Sequence, residues 1–403
     1  MKARYRYRIH PTNQQKKQLA KLFGCTRVVF NDALAYCQEI YKNGGKYSGV
    51  SELSKRLTET KKQNERQWLG EVSSIPLQQS LRDLDQGFKN FFKSCSGKRK
   101  GKKVKPPKFK KRKSKQSAKF TNNGFKVNQH TVYLAKIGSL KITWSRDLPP
   151  DPSSVTVIKD SADRYFLSFV CEINPQKLPD NQKTVGIDLG IVDFSTLSTG
   201  EKIKAPKPLK RKLKKLRKLQ KNLSKKQKGS NRREVARKKI AKLHAKIADI
   251  RTDFLHKLST KLIQENQLIA LEDLNVSGMV KNRRLSRAIS DLGWRSFRTM
   301  LVAKGEMYGR EVRIINRWEA TSQTCSNCGF KGGKKELSVR EWTCLNCGAI
   351  HDRDINASVN ILKVAEGHSD TKNGRGGKHK TIVKIAASCE ASAHQKNKQL
   401  SLF

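Results

Sequence analysis

Acidic residues are scarce in this sequence, whose 403 residues include 34 Asp and Glu against 86 Lys and Arg. The formal net charge at pH 7 is therefore +52. A small acidic substrate does not require so many positive charges, whereas a long polyphosphate chain does. The composition thus favours a nucleic acid as the partner.

Long apolar runs are absent as well. No stretch reaches the ~18 consecutive apolar residues that a membrane span needs. Residues 1–8 alternate basic and aromatic side chains and lack the apolar core of a signal peptide. We therefore expect a protein that is neither secreted nor membrane-spanning, and no membrane among its partners.

The first half of the chain changes from a helical to a strand pattern. Residues 4–9 alternate like a strand, and from about 14 to 95 the apolar residues recur at helical spacing. Period-two patterns then predict four strands, at 131–135, 139–144, 154–159 and 164–173. Short strands at this spacing predict a small antiparallel β-barrel, which the opening strand could complete.

The second half predicts an α/β unit. Strands 184–189 and 193–198 form a predicted hairpin, and 209–265 is predicted as an antiparallel pair of basic helices broken at 229–231. The remaining predicted elements are strands 267–271 and 311–316 and helices 294–309 and 354–365.

Two segments concentrate positive charge. Residues 98–115 contain twelve Lys or Arg, including Lys102, Lys103 and Lys105, and the helices of 209–265 are dense in the same residues. The first segment could be a solvated linker and the second a coiled-coil spacer. Given the net charge of the whole chain, we favour contact with nucleic-acid phosphates for both.

The nine cysteines are an odd number, and four of them lie close together late in the chain. Cys325 and Cys328 are separated by two residues, as are Cys344 and Cys347, and fifteen residues lie between the pairs. This spacing is typical of a tetrahedral four-thiolate zinc site, and fortuitous pairs or disulfides are the alternatives. Because the protein would supply all four ligands, we predict a structural Zn²⁺ in a reducing compartment.

Three carboxylates stand out in a chain so poor in acids. Asp188 interrupts an apolar strand, Glu272 follows another strand, and Asp354 opens a helix. Each has an ordinary explanation, as a charge at a strand end, a loop acid or a helix cap. If they converge, they would suit Mg²⁺ or Mn²⁺ and the two-metal cleavage of a phosphodiester.

Taken together, these motifs resemble the TnpB (OrfB) family of transposon-associated RNA-guided DNA nucleases, relatives of the compact type V CRISPR effectors. The resemblance rests on blocks spread along the chain, among them Tyr5–Thr12, Val185–Gly190, Leu271–Leu274, Thr321–Gly329 and Asp352–Ala357. Only the segment 366–403 lies outside it, and we expect that tail to be disordered.

The resemblance implies a fold of several parts. These are a wedge-like β-barrel (1–11 and 105–178), a helical recognition domain (12–104), an RNase H-like RuvC nuclease domain (182–318 and 350–365) and a zinc-ribbon insertion (319–349).

The resemblance also implies roles for individual residues. Asp188, Glu272 and Asp354 would be the metal-binding catalytic acids, with Arg353 near the scissile phosphate. A helix carrying Gln78, Gln79, Arg82 and Lys89 would lie in the region that reads a short motif beside the target.

The implied activity is RNA-guided cleavage of double-stranded DNA, with a guide RNA derived from a transposon end. The alternatives are a compact CRISPR effector and a guide-bound DNA-binding repressor with weak cleavage. We expect a single copy of the chain in the ribonucleoprotein, and a location in the bacterial cytoplasm in association with the nucleoid.

Overall fold

The computed structural model describes residues 1–112, 115–336 and 338–367. Within them the chain divides into two compact units, Lys2–Ile173 and the part that begins at Asn174. Cys389 and nearly all of the predicted tail lie outside the described residues. None of the described helices combines the length and the apolar character needed to cross a bilayer.

The first unit consists of three long helices and seven strands. Its helices are α1 (Asn13–Lys42), α2 (Gly49–Lys62) and α3 (Ser74–Cys95). Its strands are β1 (Lys2–Ile9), β2 (Gln116–Thr121), β3 (Phe125–Val127), β4 (Thr131–Leu134), β5 (Gly138–Thr143), β6 (Ser154–Lys159) and β7 (Tyr165–Glu172).

Helix α1 begins where the sequence offers a cap. The Thr12 hydroxyl accepts a hydrogen bond from the Gln15 backbone N–H at 3.3 Å, and the Gln15 side-chain oxygen accepts one from the Thr12 N–H at 3.0 Å. This capping box satisfies two N–H groups that the first turn would otherwise leave unpaired. Residues from α1, α3 and the strands, among them Leu22 and Phe169, share one buried core.

The seven strands form one sheet in the order β2-β6-β7-β1-β5-β4-β3. The central pairing is antiparallel along the whole of β1, with Lys2 opposite Glu172 and Ile9 opposite Tyr165. Among the described residues no pairing joins β2 to β3, so both remain edge strands and the sheet does not close. The antiparallel sheet is confirmed, whereas the closed barrel is not.

The second unit is an α/β structure, as predicted. Its strands are β8 (Thr184–Asp188), β9 (Ser195–Leu197), β10 (Lys202–Ile203), β11 (Leu268–Glu272), β12 (Glu311–Ile315), β13 (Glu341–Thr343) and β14 (Ile350–Asp352). Its helices are α4 (Pro208–Ser224), α5 (Asn231–Glu265), α6 (Val276–Met279), α7 (Ser286–Leu292), α8 (Trp294–Tyr308) and α9 (Arg353–Glu366).

The five-stranded sheet of this unit has the order β10-β9-β8-β11-β12. Strands β8, β11 and β12 run parallel, and β9 and β10 run antiparallel to their neighbours. Ile187 of β8 lies opposite Leu271 of β11, so both strands end one residue later at the same edge of the sheet. Helix α9 packs across β8 and β11.

Helices α4 and α5 interrupt the chain between the adjacent strands β8 and β11. They pack together through Leu216, Leu243 and Ile247, as the predicted pair of basic helices requires. Eight of the 17 residues of α4 are Lys or Arg, and its first turn carries no acid. The pair therefore presents a strongly cationic outer surface.

Candidate active site and cysteine cluster

The first two candidate acids lie side by side at the end of the five-stranded sheet. Asp188 is the last residue of β8 and Glu272 is the last residue of β11. Both strands are buried in the core through apolar residues on their two faces, including Val185, Ile269 and Leu271. Since parallel neighbours end at the same edge, the register places both half-buried carboxyl groups together.

The third acid, Asp354, lies in the first turn of α9. One interpretation of the sequence made Asp354 the helix cap, and that interpretation is wrong. The cap is Asp352, whose Oδ1 accepts hydrogen bonds from the backbone N–H groups of Asp354 and Ile355, both at 3.0 Å. The Asp354 carboxylate is thereby left available for another role.

The three carboxyl groups influence one another electrostatically. Burial raises the pKa of Asp188 to about 7, and the negative charges of Glu272 and Asp354 act in the same direction. Burial also raises the pKa of Glu272, with a contribution from Asp273, while a hydrogen bond from Thr321 opposes the rise. Clustered acids of this kind favour a cation in their midst.

The side-chain oxygens of the three acids do not form a tight ligand set. In the described chain, the cysteines are the one group of three or more candidate ligands whose donor atoms all lie within 4.8 Å of each other. The charges of Glu272 and Asp354 both act on Asp188, and the oxygen donors of the three acids are of the type that Mg²⁺ and Mn²⁺ prefer.

Two arginines flank the acids. The positive charge of Arg353 opposes the rise in the pKa of Asp188, and Arg353 Nη1 donates to the Glu336 carbonyl oxygen at 2.6 Å. Arg340 lies with its Nη1 3.7 Å from Asp354 Oδ2. Arg340 belongs to the segment between the two cysteine pairs and Arg353 contacts that segment, so this insertion borders the acids.

The four predicted cysteine ligands converge between β12 and α9. Cys325 Sγ lies 3.7 Å from Cys347 Sγ, and Cys328 Sγ lies 3.6 Å from Cys344 Sγ. A tetrahedron of sulfurs, each ~2.3 Å from a zinc ion, has edges of about 3.8 Å. The donor set and its spacing therefore fit a four-coordinate zinc ion.

The two halves of the cluster have the same local structure. The N–H of Gly329 donates to the Cys325 carbonyl oxygen at 3.0 Å, and the N–H of Gly348 donates to that of Cys344 at 2.9 Å. Both glycines have positive φ, 76° and 70°, which side chains rarely adopt. The repeated Cys-x-Asn-Cys-Gly sequence thus makes two matching turns.

The thiols differ in acidity because their surroundings differ. Burial raises the pKa of Cys325 to about 11, whereas a hydrogen bond from the Asn346 side chain is the main cause that lowers the pKa of Cys328 to about 6. His351 Nε2 lies 2.9 Å from Cys325 Sγ and is a further neighbour of the cluster. A thiolate is the form that binds metal.

The predicted nucleic-acid residues of the first unit differ in accessibility. Gln78 accepts a hydrogen bond from the Ser54 hydroxyl at 2.8 Å, and Gln79 is buried. Lys89 forms an ion pair with Asp85 at 2.7 Å, while Arg82 is exposed. The three lysines of the basic segment, Lys102, Lys103 and Lys105, are exposed as well.

Several residues around the acids were missed from the sequence. Asp352 caps α9 and also pairs with Lys202 at 2.6 Å, and Asp273 is held by Arg298 and Arg317. The Asp-x-Asp spacing at 352–354 was visible, but either acid could have been the cap. Asn356 and Asn360 are buried within α9. Amides are costly to bury without partners, so asparagines in this helix were a further signal of polar contacts around the acids.

Three family models match parts of the chain. They are OrfB_IS605, described as "Probable transposase", over residues 168–283, "Cas12f1-like, TNB domain" over 294–361, and the OrfB_IS605 "Helix-turn-helix domain" over 1–46.

Two relatives carry the name "Putative RNA-guided DNA endonuclease". A protein of Streptomyces pristinaespiralis is 46% identical over 366 residues, covering 90% of this chain and 89% of that protein. InsQ of Escherichia coli K12 is 33% identical over 383 residues, covering 91% and 92%. This chain belongs to the TnpB (OrfB) family.

A solved structure shares the fold of this TnpB family member. The structure, a Cas12f1–sgRNA–target DNA complex, superposes with a TM-score of 0.50 at 15% sequence identity. The alignment covers 87% of this chain and 81% of the Cas12f1 chain.

Proposed function

We propose that this chain is an RNA-guided, divalent-metal-dependent DNA endonuclease of a transposable element. The observation that carries the proposal is that Asp188 and Glu272 end two adjacent parallel strands and that the charge of Asp354 on α9 also acts on Asp188. The names of the two relatives at 46% and 33% identity support the same activity.

In this proposal the acids hold Mg²⁺ or Mn²⁺ through their carboxylate oxygens. When bound, such ions activate an attacking water and stabilise the leaving oxygen of a phosphodiester. Asp188 and Glu272 are fixed by their strands, and Asp354 is fixed by the cap that Asp352 forms. Arg353 supplies positive charge beside Asp188, which offsets repulsion between the acids and a phosphate.

We assign sequence recognition to a bound guide RNA. Base pairing between guide and target strand would select the site, while the protein contacts the shape and backbone of the nucleic acids and a short adjacent motif. The cationic surface of α4 and α5 and the exposed lysines of 98–112 suit such backbone contacts. We expect the proposed zinc ion to have a structural role, because the protein fills all four positions.

The proposal also assigns the domains to the two units. The wedge-like and recognition domains would together form Lys2–Ile173, and the nuclease domain with its zinc-ribbon insertion would form the part from Asn174.

Cleavage of a plasmid by the purified ribonucleoprotein tests the proposal. The plasmid carries a sequence complementary to the co-purified RNA, and Mg²⁺ is supplied. We expect the wild type to linearise the plasmid and Asp188→Asn to bind the target without cutting it. Asp180→Asn is the matched control, because Asp180 is 89% exposed in the same unit and should leave cleavage unchanged.

The same assay separates the alternatives. Cutting by Asp188→Asn at the wild-type rate would remove this residue from the site. Target binding without any cutting by the wild type would instead favour a guide-bound repressor. Sequencing of the co-purified RNA distinguishes a transposon-end guide from the repeat-derived guide of a CRISPR effector.

A further inference from the structure

Helix α9 carries two asparagines on its buried face. Asn356 and Asn360 lie one turn apart and are 2% and 7% exposed. A buried amide is costly unless its donors and acceptor are paired. Their partners therefore indicate what the helix face is built to hold.

Both amides hold the chain segment Thr321–Ser326. Asn360 Nδ2 donates to the carbonyl oxygens of Thr321 at 2.8 Å and Thr324 at 2.7 Å. Asn356 Nδ2 donates to the Thr324 oxygen at 2.8 Å, and its Oδ1 accepts from the Ser326 N–H at 2.8 Å. We call this set of contacts the amide clamp.

The clamped segment connects the cysteine cluster to the acids. It contains Cys325, the first ligand of the cluster, and the Thr321 hydroxyl lies 3.5 Å from Glu272 Oε1. The second half of the cluster reaches the same helix by another route. Cys347 is followed by β14, which ends at Asp352, the cap of α9.

Both halves of the cluster are thus tied to the helix whose first turn carries Asp354. We propose that Asn356 and Asn360 are positioning residues that couple metal occupancy of the cysteine cluster to the placement of Asp354. When zinc fixes the turn at Cys325, the clamp fixes α9; when zinc leaves, the helix end loses that support. The inference depends on the proposed function only for the role of Asp354, since the clamp itself is a set of protein contacts.

Asn360→Asp tests the coupling in the full-length ribonucleoprotein. The substitution keeps the shape of the side chain but replaces the NH₂ donor by an acceptor facing two carbonyl oxygens. We expect zinc to be released to a chromophoric chelator about 10- to 100-fold faster, as for other residues that support metal ligands. We also expect a several-fold rise in the Mg²⁺ concentration that half-saturates cleavage, with target binding unchanged.

Asn282→Asp is the matched control. Asn282 is exposed and its Oδ1 already acts as an acceptor, for the Arg284 N–H at 3.0 Å, so the change should move neither quantity. Faster zinc release by Asn360→Asp with an unchanged Mg²⁺ requirement would show support of the cluster alone and would overturn the coupling.

Hydrogen exchange of the wild type gives a second test that needs neither a variant nor cleavage. Without Mg²⁺, removal of zinc should increase exchange of the Ile355–Ser358 amides, while Val185–Ile187 of β8 stay protected. Equal protection of α9 with and without zinc would overturn the inference. Because this readout is independent of cutting, failure of the proposed nuclease activity would be seen separately.

Discussion

Gly186 lies directly beneath Ser358. A Cβ atom at Gly186 would come 2.0 Å from the Ser358 carbonyl oxygen and 2.9 Å from the Leu362 backbone nitrogen. The missing side chain on β8 therefore allows α9 to approach the sheet closely. That approach brings Asp354 to the strand end that carries Asp188.

Gly186→Ala should displace α9, because the atoms in the way belong to backbone and cannot rotate aside. We expect a loss of about 3 kcal/mol in the free energy of unfolding, as for other overpacked sites, together with loss of cleavage. Urea unfolding followed by tryptophan fluorescence measures the first. Gly24→Ala is the control, since a Cβ there meets nothing within 4 Å inside α1 and should raise stability by about 0.5–1 kcal/mol. Equal stability of the two variants would contradict the close packing of α9.

Asp291→Ala should destabilise the first turn of the basic helix α4. The Asp291 carboxylate is buried and accepts hydrogen bonds from the N–H groups of Leu209 at 3.0 Å and Lys210 at 3.1 Å. Its removal leaves two donors unpaired and should cost about 1–2 kcal/mol. We expect faster hydrogen exchange in the first turn of α4 and weaker guide-RNA binding.

Asp253→Ala is the control for that experiment. It removes the same negative charge from the 63% exposed partner of Lys257 on α5 without touching the start of α4. If both variants bind RNA equally, Asp291 has no part in presenting the basic helix.

Arg82→Ala should weaken nucleic-acid binding through the loss of one phosphate contact. Arg82 is exposed on α3, and the described residues offer it no hydrogen bond or ion pair. The slope of log affinity against log salt concentration should become shallower by about 0.7–0.9. Lys21→Ala removes an equal charge that is paired with Glu71 at 2.6 Å, and should leave the slope nearly unchanged. Identical slopes for Arg82→Ala and the wild type would remove Arg82 from the interface.

Lys304 should make the free energy of unfolding of the second unit depend on pH above about 8. Burial lowers the pKa of Lys304 from 10.5 to about 8, although its Nζ donates to Ser259 Oγ and Thr260 Oγ1. Between these two pH values the unfolded chain holds a proton that the folded chain has released. The free energy of unfolding of the wild type, relative to Lys304→Met, should therefore rise as the pH increases from 8 to 10.5. A difference that stays constant over this range would show that Lys304 remains charged when folded.

The elements with strong periodicity were predictable from the sequence. Strand β6 occupies the predicted residues 154–159, and the break at 229–231 falls where α5 begins. The pairing of edge strands was not predictable, because it depends on contacts between residues far apart in sequence. Strand β2 was missed: it follows a lysine-rich run, and only Ala118 and Phe120 of its side chains are buried.

The candidate site was predictable in its residue types but not in its support. Asp188 and Glu272 stood out because charges are unusual at the ends of apolar strands. The assignments of the acids, Arg353 and the nucleic-acid contacts stay predictions. The amide clamp and the cap at Asp352 could not be predicted from the sequence. Each depends on which of several nearby polar side chains forms the hydrogen bonds in the folded protein.

The insertion of α4 and α5 between β8 and β11 has a consequence for the order in which the protein is synthesised and folds. Asp188 and Glu272 are neighbours in the sheet, yet the whole helical pair must be synthesised between them, and Asp354 follows later still. Contacts between such distant parts of a chain form slowly. During synthesis α4 and α5 are therefore complete before the acids can assemble, so the nascent protein acquires its proposed binding surface for polyanions earlier than its proposed capacity to cleave them.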